Sequence, residues 1–351
     1  MKACVIGASG YTGRELVKLL LSHPHIQLAT ITSRTLDGYP VEKVIPQVAG
    51  FSSNLTFSNP KIEALCNHSD LDIFFLALPH GTASIYASKL LEAGKKVIDL
   101  SADFRLNSAD TYREFYGQDH PSPDLLETAQ YGLPELHNLS WEKSPLIASP
   151  GCYPTSILVP LAPLMKSMAV DSEDIVVNSM SGISGAGRNA SEKLLYCERN
   201  ENASAYGLPK HRHLSEIEEQ LTLFAKHPVI LSFHPHLAPM NRGIHTTISV
   251  KAKRTSNLSS IYDIWNEVYH NRPFARVLET GTFPEVSHVV GSNRVDFSAH
   301  FDSRTNRIVI CSAENNLTKA CEIFSTIKLI NQDDYISKFK VYCLIHKNQN
   351  E

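Results

Sequence analysis

The sequence predicts an α/β protein in two parts, a parallel sheet covered by helices on both faces followed by an α+β domain. Three observations predict it. Short apolar runs alternate with amphipathic stretches up to Ser149, a glycine turn separates the first run from the first helix, and beyond Ser149 the alternation loosens while strands lengthen. The length agrees, since 351 residues at about 150 per domain makes two, each large enough for its own core. The expected division is 1–148 and 149–312, with a helix at about 313–335 returning to the first domain.

Taken in order, Ala3–Ile6, Ile26–Thr32, Ile73–Leu78, Val97–Leu100 and Leu146–Ser149 read as strands. Ile73–Leu78 is apolar at every position, as a central strand covered on both faces requires. Thr82–Glu92 reads as a helix closed by Gly94. Residues 104–143, rich in Pro, Tyr, Asp and His, are expected to wrap over the sheet before Leu146–Ser149 returns to the core. In the second part Ile175–Met180 and Ile244–Lys251 read as strands and Leu214–Leu221 as a helix. Leu317, Ala320, Ile323, Phe324 and Ile327 fall at helical spacing within Asn316–Ile330, the segment expected to pack back on the first domain.

Composition excludes several functions. Thirty-three Lys and Arg against 36 Asp and Glu leave a net charge of −3, without the basic field that nonspecific nucleic-acid binding needs. Hydrophobic residues at 42% and charged residues at 20% are globular rather than disordered proportions. The apolar stretch Ile157–Met165 holds two prolines and falls far short of the ~20 residues that span a bilayer, so no membrane partner is expected. The first residues enter a strand with no leader-like segment. Seven scattered cysteines, with no C-x-x-C pair, disfavour a disulfide framework or cysteine-built zinc site and fit a reducing cytoplasm.

Gly7-Ala8-Ser9-Gly10-Tyr11-Thr12-Gly13 lies between the first strand and a helix. Such a turn offers unpaired backbone N–H groups and a positive helix end to a phosphate, the footprint of a dinucleotide cofactor. The spacing is G-x-x-G-x-x-G, with Ser9 where the common fingerprint has its second glycine. The second strand ends in Thr32-Ser33-Arg34-Thr35 rather than in the acid that holds the ribose of NAD, and Ser33 with Arg34 favours the extra phosphate of NADP. Pro79 and His80, after the central strand, are expected at the same carboxyl edge.

Cys152 stands apart from the other cysteines, within Ser149-Pro150-Gly151-Cys152-Tyr153-Pro154-Thr155. With Pro154 as the first helical residue, Cys152 would sit at a helix start, where the dipole lowers a thiol pKa and makes a nucleophile; a buried inert cysteine is the plain alternative. A proton donor and acceptor is available in Lys210-His211-Arg212-His213. His211 and His213 with His234 and His236 could instead form a metal site, although no H-E-x-x-H motif is present and none is expected. Ser181–Arg188 is glycine-rich and could bring backbone donors, among them Ser184 and Gly185, close to a cofactor, or be a flexible turn. Arg105 and Arg242 are candidates to clamp a carboxylate or phosphate, or plain surface ion-pair formers.

In order along the chain, Gly7–Gly13, the Cys152 turn, Ser181–Arg188, the His211–His213 pair and Arg242-Gly243-Ile244 closely resemble the semialdehyde dehydrogenase superfamily. The nearest likeness is to its arginine-biosynthesis branch, which acts on N-acetyl-glutamyl phosphate. The resemblance runs to about Asn316. It implies a Rossmann domain, a mixed-sheet substrate and dimerisation domain, a homodimer or homotetramer, and NADPH as hydride donor. It further implies that Cys152 attacks a small-molecule acyl phosphate to form a thioester that hydride reduces to the semialdehyde, with His211 as acid and base. Gly7, Ser9, Gly10, Tyr11, Thr12, Gly13, Ser33, Arg34, Pro79, His80, Ser184, Gly185 and Asn316 fall to the cofactor side, Arg105 and Arg242 to the substrate side. Aspartyl or N-acetyl-aminoadipyl phosphate as substrate, or a silent dinucleotide-binding protein, are the alternatives. Two departures stand out. Asn316-Leu317-Thr318-Lys319 is followed by Ala320-Cys321-Glu322-Ile323 rather than a glycine-rich helix start, and Pro160 removes a backbone bond and is expected to kink the helix behind Cys152.

Overall fold

A computed structural model describes residues 1–51, 54–253 and 256–321. The first sheet contains β1 (Lys2–Ile6), β2 (Gln27–Thr32), β3 (Phe57–Ser58), β4 (Ile73–Leu76), β5 (Lys96–Asp99), β6 (Gln130–Tyr131) and β7 (Leu146–Ala148). All its pairings are parallel and the order is β3-β2-β1-β4-β5-β7-β6. Every residue of β4 is buried, which explains its unbroken apolar run. Helix α1 (Tyr11–Leu21) packs Leu16, Val17 and Leu20 into one layer with Ile31 and Phe57; α2 (Thr82–Glu92) packs Ala83, Ala87 and Leu90 into the other. Helix α3 (Ala109–Tyr116) lies in the segment that wraps toward the edge strand β6, its start capped by Ser108.

The second sheet is mixed, in the order β12-β13-β14-β11-β8-β10-β9. Its strands are β8 (Ile175–Ser181), β9 (Ser204–Ala205), β10 (Leu231–Leu237), β11 (Ile244–Lys251), β12 (Ala275–Val277), β13 (Val295–Asp302) and β14 (Arg307–Glu314). Helices α4 (Cys152–Lys166), α5 (His213–Ala225) and α6 (Leu258–Tyr269) build one core with this sheet. In β8 and β11 buried residues alternate with partly or fully exposed ones, so the opposite face of the sheet is open.

Helix α4 corrects the expectation for its start. Cys152 is its first residue and Gly151 its N-cap, so Pro154 stands third rather than first; its missing N–H still costs nothing, because the first four amides of a helix have no internal acceptor. The helix also runs on through Pro160 and Pro163 to Lys166. Of the helix expected over 313–335, Ala313 and Glu314 instead end β14 (Arg307–Glu314), the turn Thr318–Cys321 is helical and packs against α1, and 322–335 lie outside the described residues. Among the described residues no helix is long and apolar enough to cross a membrane.

Candidate active site

The first sheet reverses its order between β1 and β4, and ligands of such sheets bind outside the carboxyl ends of the strands at that point. The glycine turn closes there against β4. Gly7 has φ +87°, and a Cβ on it would lie 2.3 Å from the Ala77 carbonyl oxygen, while one on Gly13 would lie 2.4 Å from the Gly7 oxygen. Only glycine allows that closure and leaves the uncapped start of α1 open to a phosphate. Ser9, in place of a second glycine, accepts a hydrogen bond from Ser33 Oγ at 3.1 Å and joins the turn to the end of β2.

A cleft of about 560 Å³ leads from this turn to Cys152. Gly7, Ser9, Gly10, Tyr11, Thr12, Gly13, Ser33, Arg34 and Pro79 line it from the first domain; Ser184, Gly185 and Asn316 line it from the second. Asn316 Oδ1 accepts from the Gly243 amide at 2.9 Å and its Nδ2 donates to Ser184 Oγ at 3.1 Å, which holds the two loops together. Among the described residues no Asp or Glu lines the cleft, whose charged residues are Arg34, Arg105 and Arg188.

His80 is not part of this lining. Asp103 accepts from the Gly81 and Ser84 amides and from Tyr112, which fixes the loop before α2 and leaves the His80 ring against Arg212 Nη1 at 3.0 Å and on Tyr116. Arg242 is also elsewhere, with Nη1 and Nη2 each 3.0 Å from a carboxylate oxygen of Glu15 on α1. That bidentate pair ties the domains together and spends the fork the sequence reading gave to substrate.

At the far end of the cleft, β7 runs through Gly151 into Cys152. A Cβ on Gly151 would lie 2.7 Å from His213 Nε2 and 3.0 Å from Arg105 Nη1, so the glycine lets both side chains close on the backbone beside the thiol. His213 lines the cleft with Cys152, whereas His211 stands behind it. His211 Nδ1 accepts the His213 amide at 3.1 Å, and its ring packs among Tyr153, Tyr206 and Phe233. Of the two histidines it is His213, rather than the expected His211, that lines the cleft with the thiol. His234 and His236 alternate with Phe233 along β10 and lie on the opposite sheet face, so the four histidines do not converge.

Glu216 organises this corner. Its Oε1 accepts the Gly151 amide at 2.8 Å and Tyr131 Oη at 2.7 Å, and its Oε2 is 3.4 Å from Arg105 Nη1, while Arg105 Nε and Nη2 hold the carbonyls of Ser149 and Leu100. The sequence reading missed Glu216, although a signal exists: it follows His213 by one helical turn on the stripe with buried Ile217, Gln220 and Leu221. An acid on a buried stripe is exceptional unless paired.

Burial and the nearby Glu314 carboxyl push the Cys152 thiol up to about 12, against the pull of Arg105 and of the Tyr153 amide. The direction is opposite to that expected of a helix start, with desolvation by burial the largest cause. Burial, with His211, Arg105 and Arg212 nearby, lowers the His213 pKa well below the usual histidine value. Both shifts favour the uncharged forms, a thiol and a neutral imidazole lining the same cleft.

A dinucleotide cleft that ends on a cysteine and a histidine, with a mixed-sheet second domain beside it, is the site of an oxidoreductase. The family model described as semialdehyde dehydrogenase, NAD binding domain, matches residues 2–143, and that described as semialdehyde dehydrogenase, dimerisation domain, matches 152–316. The chain belongs to the semialdehyde dehydrogenase family. It is 47% identical over 322 residues, 91% of this chain and 92% of the other, to the N-acetyl-gamma-glutamyl-phosphate reductase of Akkermansia muciniphila. It is 42% identical to the protein of that name from Citrifermentans bemidjiense, with 91% of each chain covered. Among solved structures, aspartate semialdehyde dehydrogenase II of Vibrio cholerae complexed with ASA shares the fold at TM-score 0.67 and 15% identity, covering 93% of this chain and 97% of that one.

Proposed function

We propose that the protein reduces N-acetyl-L-glutamyl 5-phosphate with NADPH to N-acetyl-L-glutamate 5-semialdehyde and phosphate, in arginine biosynthesis. The observation that carries this reading is the single cleft joining the glycine turn to Cys152 and His213; the names of the relatives supply the substrate. The glycine turn, which a Cβ would fill, and the acid-free cleft with Arg34 at the end of β2 fit NADPH better than NADH.

His213 takes the thiol proton as Cys152 Sγ bonds to the acyl carbon; the carbon–oxygen bond to phosphate breaks and a thioester remains on the enzyme. When bound, the nicotinamide supplies the hydride that reduces this thioester. Protonated His213 donates to the resulting oxygen, and collapse of the thiohemiacetal, with loss of its hydroxyl proton back to the imidazole and return of a proton to sulfur, releases the semialdehyde. Glu216 holds the Gly151 amide and Arg105, and so sets the backbone beside Cys152. Arg105, its Nε and Nη2 spent on carbonyls, favours negative charge near the thiol.

The domain name supports a homodimer through the open face of the second sheet, and free Cys4, Cys66, Cys152, Cys197 and Cys311 support a cytoplasmic location. The test is turnover of N-acetyl-glutamyl phosphate against its aspartyl and N-acetyl-aminoadipyl counterparts, with NADPH and with NADH. Cys152→Ser is expected to lower kcat by roughly a thousand-fold or more while NADPH still binds. Retained turnover would refute the thiol mechanism, and a faster rate on another acyl phosphate would reassign the substrate.

A further inference from the structure

Two arginines from different domains converge on one backbone oxygen of the glycine turn. Arg188, in the loop after β8, donates from Nη1 to the Ser9 carbonyl at 2.6 Å; Arg14, in the first turns of α1, donates from Nε to the same oxygen at 3.1 Å. No carboxylate compensates them within the cleft that Arg188 lines. Burial and the neighbouring Arg188 guanidinium both lower the Arg14 pKa, the mark of two like charges held together without an anion between them. The same Ser9 is joined through its side chain to Ser33 at the end of β2, and Arg34 follows. In doubly wound sheets the end of the second strand is where the adenosine ribose is read. Arg188, Ser9 and the β2 end thus line the same cleft, with Arg14 held on the Ser9 carbonyl outside that lining.

We propose that Arg188 is a cofactor-specificity residue contributed by the second domain, binding with Arg34 the phosphate monoester on the adenosine ribose of NADPH, with the charge of Arg14 behind the Ser9 carbonyl. This rests on the NADPH reading above and names what distinguishes that cofactor from NADH. A guanidinium carries five donors in a fixed fork, so Nη1 can stay on the Ser9 carbonyl while the others meet phosphate oxygens. The pyrophosphate needs no side-chain cation, since the uncapped start of α1 offers it backbone amides. A phosphate in this corner also ties the Ser181–Arg188 loop to the glycine turn, so that cofactor binding fastens the two domains at the mouth of the cleft.

Fluorescence titration of the full-length protein with NADPH and with NADH tests this, using wild type, Arg188→Gln and Arg188→Lys, with 2′,5′-ADP as competitor. Arg188→Gln is expected to weaken NADPH binding by roughly ten- to a hundred-fold and NADH binding by less than about two-fold, as loss of a charge-assisted contact to one phosphate predicts. Arg188→Lys should fall between, since an ammonium keeps the charge and loses the fork. Competition by 2′,5′-ADP should weaken in step with NADPH. Equal weakening toward both cofactors would assign Arg188 to the pyrophosphate and overturn the proposal, and unchanged binding would overturn it too. If wild type itself binds NADH as tightly as NADPH, the NADPH reading fails instead. Unchanged melting temperatures will show that the variants are folded.

Discussion

At the scale of single residues, the pair Cys152 and His213 shows how position and burial trade against each other. A helix start favours a thiolate, yet Cys152 is raised to about 12 because its surroundings withhold water and Glu314 stands near. His213 is shifted the other way by the same burial. A histidine with a lowered pKa keeps its basic form at pH values where an ordinary one, near 6.5, is already protonated. The acid limb of kcat/KM is therefore expected below about pH 6.5, and turnover should hold as pH falls through the normal histidine range. His213→Asn should lower kcat/KM by roughly a hundred-fold or more and remove that limb. His211→Asn, which disturbs the packing behind the site and the bond to the His213 amide, should keep the limb and lose less than about ten-fold. A larger loss in the His211 variant, with its limb abolished, would return the role to His211.

Among the elements, helix α4 settles what two interior prolines cost. Each removes an amide and would leave the carbonyl four residues earlier without its donor, a penalty of about 3 kcal/mol or more in an unsupported helix. Ser156 and Val159 are those carbonyls, and both are satisfied from outside the helix. Ser312 Oγ on β14 donates to the Ser156 oxygen at 2.6 Å, and Tyr269 Oη on α6 donates to that of Val159. Trp265 Nε1 adds a bond to the Pro160 carbonyl at 2.8 Å. The prolines thus convert internal helix bonds into links between α4, the sheet and α6, and Cys152 starts from a helix anchored on two sides. Tyr269→Phe orphans the Val159 oxygen in the core and should cost about 1–3 kcal/mol in urea unfolding; an unchanged midpoint would mean that the Val159 carbonyl finds another donor.

For the whole molecule, the cleft exists because the two domains are stapled on either side of it. Arg242 with Glu15 and Asn107 with Glu219 cross between them, beside the Arg105 and Arg188 contacts. Arg242, expected on the substrate, turns out to be one of these staples. The open sheet face presents half-exposed Met180 on β8, flanked by His236 on β10 and His245 on β11. With this face covered by a second copy, sedimentation velocity should give twice the 39.0 kDa chain mass, and Met180→Asp, placing a charge at its centre, should yield folded monomers. A monomeric wild type, or a variant that stays dimeric, would exclude this face as the interface.

Much of this was legible in the sequence because the signals are local. An apolar run such as Ile73–Leu76 has one environment that satisfies it, a glycine at positive φ such as Gly7 has one kind of turn, and the first part of the chain is a string of such units. The cofactor residues follow from that order, since the switch point of a parallel sheet determines where they gather. What only tertiary structure decided was which of several equivalent side chains meet. His211 and His213 are two residues apart and chemically alike, and the close approach at Gly151 selects His213. Arg242 could clamp any carboxylate, and Glu15, distant in sequence, is the one it reaches. The partner of Glu216, the Gly151 amide 65 residues earlier in the same domain, and that of Arg188, the Ser9 carbonyl of the first domain, become visible only in the fold. Sequence alone determines the elements and the chemistry available; distances and desolvation, which depend on packing between domains, assign the roles.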